Sequence, residues 1–114
     1  MSSNNAALIN TAPLEQALET FAIERDWLPY HSPKNLVMAL TGEVGELSEI
    51  FQWMTEAQSH TAATSPETSE AVHDELADVL LYLVRLAAVL GVDLDQAVRN
   101  KLLKNAEKYP PNGG

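Results

Sequence analysis

The chain has 114 residues, enough for one domain with a real core and few enough to gain from self-association. It contains no cysteine, so a disulfide framework and a thiolate zinc site are excluded, and nothing argues for an oxidising compartment. A formal charge of −9 speaks against duplex nucleic acid as a partner, because phosphate backbones are gripped by basic faces.

The opening segment MSSNNAALINTAP has no basic flank and no sustained apolar run, so it does not read as a secretion signal, and residues 1–12 read as a flexible N-terminus. Thr11 followed by Pro13 opens a first helix that runs to about Trp27, where LPYHS breaks the pattern. Ser32-Pro33 pairs an N-cap with a proline at the first helical position and opens a second helix, to about Thr55. EAQSHTAATS is polar and small and reads as a loop. Ser65-Pro66-Glu67 repeats the cap-plus-proline device and opens a third helix, which Gly91 stops. Asp93 caps a fourth, terminated by YPPNGG, with residues 110–114 a flexible C-terminus. No alternating strand pattern, internal repeat or glycine-rich phosphate loop appears. The expected architecture is all-α, a four-helix bundle-type domain over residues 13–109.

The longest apolar run, Val79 to Leu90, holds 12 residues and contains Arg85. That falls short of the ~20 residues a bilayer span needs, so no membrane contact is expected and the default is a cytoplasmic protein. Val79, Leu80, Leu81, Leu83, Val84, Leu86, Val89 and Leu90 nonetheless cover nearly the whole circumference of the third helix. A helix apolar all round is buried all round. A domain this small covers only part of it, which predicts dimerisation through the long central helices, as a homodimer or a dimer of dimers.

Charge is unevenly placed. Between Asn35 and Val84 there are nine Asp or Glu residues and no Lys or Arg, whereas Arg99, Lys101, Lys104 and Lys108 crowd near the C-terminus. On the second helix, Glu43 projects within the apolar stripe of Leu36, Leu40, Val44, Leu47, Ile50, Phe51 and Met54, and Glu46 lies at its margin. On the third helix, Glu75 flanks the apolar face and Asp78 lies one turn further on. Each long helix thus carries an acidic i, i+3 pair, and antiparallel packing lets the pairs face each other. One such pair is ordinarily solvated surface. Two at matching positions with no basic residue between them repel, and burying them unpaired is costly. A hard divalent cation, Mg²⁺ or Mn²⁺, resolves the conflict because it prefers oxygen ligands.

The segments GEVGELSEIFQW, DELADVLLYLVRLA and VDLDQAVRNKLLKNAEKYP, with FAIERDW and HSPKNLVMALTGEVGEL upstream, resemble the MazG-like family of all-α nucleoside triphosphate pyrophosphohydrolases. The likeness covers about residues 18–110 and is nearest the family's short, single-domain, dCTP-preferring subtype. The family's ExxE, spacer, ExxD metal motif falls on Glu43, Glu46, Glu75 and Asp78. Many members begin that motif with another glutamate, where this chain has Gly42. The resemblance implies Mg²⁺-dependent hydrolysis between the α- and β-phosphates of a nucleoside triphosphate, with dCTP the first expectation and other deoxynucleotides close behind.

The residues suit that chemistry, since phosphoryl transfer asks for charge neutralisation and a placed water more than for covalent catalysis. Glu46, the more marginal ligand of its pair, is favoured as general base. Lys101, Lys104 or Asn105, and Lys108 recur at helical spacing and present cations to a triphosphate. The resemblance assigns the phosphate border to Lys101, Asn105, Lys108 and Tyr109. For the base, Trp27 at the end of the first helix, Trp53 on the second and Tyr82 on the third offer stacking surfaces. The alternative, that they seal a core edge or an interface, stays open. His31 reads as a loop residue and is not assigned.

Two further motifs and the acidic face carry alternative readings. Glu70-Ala-Val-His73 is a single copy of the ExxH unit that di-iron bundles use in duplicate. His73-Asp74 spells the dipeptide of HD-type metal phosphohydrolases, but His31 and His60 fall in predicted loops. A non-catalytic helical oligomer would use its acidic face to dock a partner.

Overall fold

The computed structural model describes residues 6–112, and the chain within them is all-helical. Helix α1 is Ala12–Glu24, α2 is Pro33–Phe51, α3 is a single turn at Glu56–Ser59, α4 is Ser69–Leu90 and α5 is Leu94–Lys108, with a 3-10 turn at Leu28–Tyr30. The centre of the fold is an α2–α4 hairpin, against which α1 packs through α4; α5 takes no comparable part. Leu36, Val72, Val84 and Ala87 are buried along these contacts. The radius of gyration is 17.5 Å, well above the roughly 13 Å of a compact domain of this length. No helix among the described residues is long and apolar enough to cross a membrane.

Two caps form as their residue types dictate. Ser32 and Asp93 each accept a hydrogen bond from the amide three residues on, Asn35 and Gln96 respectively. The C-terminal stop of α4 is a Schellman turn: Gly91 adopts φ 71°, and the Val92 amide returns to the Ala87 carbonyl at 2.9 Å. A Cβ added at Gly91 would meet nothing within 4 Å, so the cost of Gly91→Ala is that of the left-handed backbone alone. Thermal unfolding should show a loss of about 1 kcal/mol, and a loss near zero would mean the turn relaxes.

Three boundaries differ from the sequence expectation. The first helix ends at Glu24 rather than Trp27, because Asp26 turns left-handed at φ 58°. The second ends at Phe51 rather than Thr55, which instead becomes the N-cap of α3, its side chain accepting from the Gln58 amide. The third opens at Ser69, not at Ser65-Pro66; residues 65–68 form a hydrogen-bonded turn ahead of it. The Thr68 hydroxyl at that junction donates to the Ala62 carbonyl at 2.6 Å and so closes the loop instead of capping the helix.

Of the termini read as flexible, residues 1–5 and 113–114 lie outside the described residues. Leu8 and Ile9 donate their amides to Asp95 on α5, at 2.7 and 3.1 Å, and Arg99 donates to the Ala6 carbonyl. Arg99 also pairs with Asp95 at 2.9 Å. The two backbone amides and the guanidinium hold the Asp95 carboxyl below its usual range.

Candidate active site

Glu43 lies about two turns before the end of α2, and Glu75 and Asp78 lie about two turns into α4, so the hairpin brings them together. One carboxylate oxygen from each lies within 4.8 Å of the other two, and all three side chains are half-buried. Glu75 Oε2 is fully buried with no hydrogen-bond partner. The Glu43 carboxyl is pushed up to about 7 from 4.5, chiefly by the hydrogen bond it makes to Glu46, then by burial and by Glu75. An orphaned buried oxygen inside an all-oxygen donor set fits a hard divalent cation, which prefers such ligands. Glu46 is exposed and stands outside the triad, joined to it through Glu43.

The crowding has a measurable signature. A carboxyl whose folded pKa is raised releases its proton at lower pH when unfolded, so stability falls as pH rises between the two values. The metal-free protein should therefore lose melting temperature between about pH 4.5 and 7, the ordinary and raised values for Glu43. Saturating Mg²⁺ should remove that slope. A flat profile in EDTA would show that the carboxylates do not crowd.

No other group of three or more His, Asp or Glu ligands assembles among the described residues. His73 is exposed, its Nδ1 2.7 Å from the Ser69 carbonyl of its own helix, so neither the ExxH nor the HD reading acquires partners.

Next to the triad is an apolar cavity of about 170 Å³, lined among others by Phe21, Trp27, His31, Asp78, Tyr82 and Arg85. Trp27 reaches it because α1 ends in a second Schellman turn, with the Trp27 amide bonded to the Ala22 carbonyl at 2.9 Å. That turn sets the Trp27 ring edge-on to Phe21, centroids 5.5 Å apart, the hydrophobic contact that accompanies the motif. Tyr82 enters the cavity from the same face of α4 as Asp78, one turn further on.

The structure corrects two aromatic and loop assignments. Trp53 is not on the second helix; it lies in the turn after Phe51 and is 88% exposed, away from the cavity lining. His31, left unassigned, lines the cavity. Its Nδ1 accepts a 3.0 Å hydrogen bond from Arg85 Nε, and burial, with the Arg85 charge, lowers its pKa. In the sequence Arg85 stands out only as the charge that interrupts an apolar run. Its position seven residues after Asp78 on one helix, two turns along the same face, was the available signal.

Lys101, Asn105 and Lys108 lie on α5, with Tyr109 just beyond it. None of them lines the cavity, and neither Lys101 nor Lys108 forms an ion pair with the carboxylates. Lys108 Nζ sits 5.3 Å from the Tyr109 ring centre.

Comparison with known proteins places the chain among relatives. A family model described as MazG-like matches residues 39–114. The dCTP pyrophosphatase 1 of rat and that of human are each 51% identical to it over 90 residues. Those residues are 79% of this chain and 53% of either relative, so the chain spans about half their length. A solved pyrophosphatase from Archaeoglobus fulgidus superposes with a TM-score of 0.82 at 36% identity, covering 94% of this chain and 98% of that one.

Proposed function

Because the chain belongs to the MazG-like family, we propose that it hydrolyses nucleoside triphosphates to the monophosphate and pyrophosphate, with dCTP the preferred substrate. The observation that carries this reading is the double membership of Asp78, which belongs both to the carboxylate triad and to the aromatic cavity. A nucleotide has the same polarity: an anionic end that needs a cation and a flat end that needs a stacking surface. The homologous dCTP pyrophosphatases support the choice of base.

In this reading Glu43, Glu75 and Asp78 hold Mg²⁺, which Mn²⁺ replaces, with Glu46 at the margin. The ion, when bound, neutralises phosphate charge and acidifies a water. Glu46, exposed beside Glu43, is the carboxylate placed to accept the proton of the attacking water. Trp27 and Tyr82 sandwich the base and exclude water from that end. Lys101, Asn105, Lys108 and Tyr109 contact the triphosphate. Since α5 stands apart from the hairpin of its own chain, these groups reach the site of a neighbouring copy in a homodimer or a dimer of dimers. Trp53, so exposed in the single chain, is seated in the same way.

Product analysis tests the reaction. Purified protein with Mg²⁺ should convert dCTP to dCMP and pyrophosphate, and EDTA should abolish it. Orthophosphate as product would indicate cleavage at a different phosphorus. No turnover of any triphosphate by folded, metal-loaded protein would favour the acidic docking module instead.

A further inference from the structure

Arg85 is 8% exposed, the one buried charged residue among those described. Here no carboxylate lies within ion-pair distance of it, and Nε alone has a partner, His31 Nδ1 at 3.0 Å. The two terminal nitrogens have no hydrogen-bond partner among the described residues and, unlike Glu75 Oε2, they remain accessible to solvent or a ligand. Arg85 also borders the aromatic cavity, on the face of α4 that carries Asp78. Two helical turns, about 10.5 Å along the axis, separate the two residues. The sugar of a nucleotide, with the reach of the two side chains, spans such a gap.

The bond to His31 has a second consequence. Accepting at Nδ1 requires the neutral imidazole with its proton on Nε2, which keeps a second cation out of the cavity. It also anchors the guanidinium by one nitrogen and leaves its fork for something else.

Resting on the pyrophosphohydrolase reading above, we propose that Arg85, held by His31, is the base-reading residue, donating two N–H groups to the adjacent O2 and N3 acceptors of a cytosine-type pyrimidine. A uracil or thymine base presents an N3–H at the second position and meets the fork donor to donor. Substitution at C5 leaves the recognised edge untouched, so methylated cytosine should bind as cytosine does.

A structural role competes with this one. On its other side Arg85 borders a cleft with Glu15, Gln16 and Glu19, and a cation facing those carboxylates would stabilise the fold without reading a base. The two roles differ in substrate ratio. Steady-state kinetics on the metal-loaded full chain should give kcat/KM for dCTP about 10- to 100-fold above dUTP, the discrimination expected of one bidentate pair. In Arg85→Met that ratio should collapse to within about 3-fold, through a raised KM for dCTP with kcat little changed. Arg85→Lys keeps the charge, and with it any structural role, but not the fork, so it should collapse the ratio too. An unchanged ratio in active Arg85→Lys overturns the assignment alone. Absence of turnover by the wild-type protein overturns the pyrophosphohydrolase reading and this assignment with it.

Discussion

Glu43→Gln is expected to lower pyrophosphate release from dCTP on the order of 10³-fold and, at pH 8 in EDTA, to raise the melting temperature above wild type. Losing metal-based charge stabilisation costs several kcal/mol in the transition state, and each 1.36 kcal/mol is tenfold in rate. The stability change has the opposite sign because the same carboxylate is a liability without the ion. Its folded pKa of about 7 against an ordinary 4.5 means that the folded state is penalised at pH 8 and not below pH 4.5. Glutamine mimics the protonated form at every pH: it keeps a donor toward Glu46 and removes the repulsion. The gain should therefore vanish at pH 4 and be reversed when Mg²⁺ is added, since only the wild type gains from binding. Activity within tenfold of wild type, or a lower melting temperature at pH 8 in EDTA, would sink this account of the triad.

What the sequence discloses follows the range of the interaction concerned. Ser32, Gly91 and Asp93 satisfy backbone groups within a few residues of themselves, so their roles were readable from residue type and position. Ser65-Pro66 carries the same local signal as Ser32-Pro33, yet the loop's own bonds, Thr68 to Ala62 and Ser69 to Ala63, delay the helix by a turn. Trp53 was misplaced because α2 yields its last residues to the capping box of Thr55 and Gln58. At the site, the pairing of Glu43 with Glu75 and Asp78 was legible because the acidic spacing repeats on two neighbouring helices. The His31–Arg85 bond joins residues 54 apart, and no periodicity within either segment announces it.

A carboxylate in place of Leu80 should turn the proposed homo-oligomer into a 12.5 kDa monomer, the mass of one chain. A compact monomer of that mass exposes about 6,200 Å², whereas this protomer exposes 8612 Å². Apolar side chains contribute to the excess: Leu76, Leu80, Leu83 and Leu90 on α4, with Val37, Met38 and Val44 on α2, are each between 40% and 58% exposed. The four leucines lie roughly 120–200° around α4 from Asp78, so a substitution among them leaves the triad's own face untouched. Burying one leucine contributes about 1.5–3 kcal/mol, and a two-fold interface counts it twice. Leu80→Asp should accordingly raise the dissociation constant on the order of 10²–10⁴-fold, with the burial of a carboxylate adding to it. Sedimentation equilibrium at micromolar concentration reads the mass directly, and a wild-type protein already monomeric there would defeat the prediction. If the α5 lysines serve a neighbouring copy, the dissociated variant should still bind Mn²⁺ at the triad while its KM for dCTP rises steeply. The two readouts would then separate, because in the proposed arrangement the metal is held within one hairpin and the triphosphate between two.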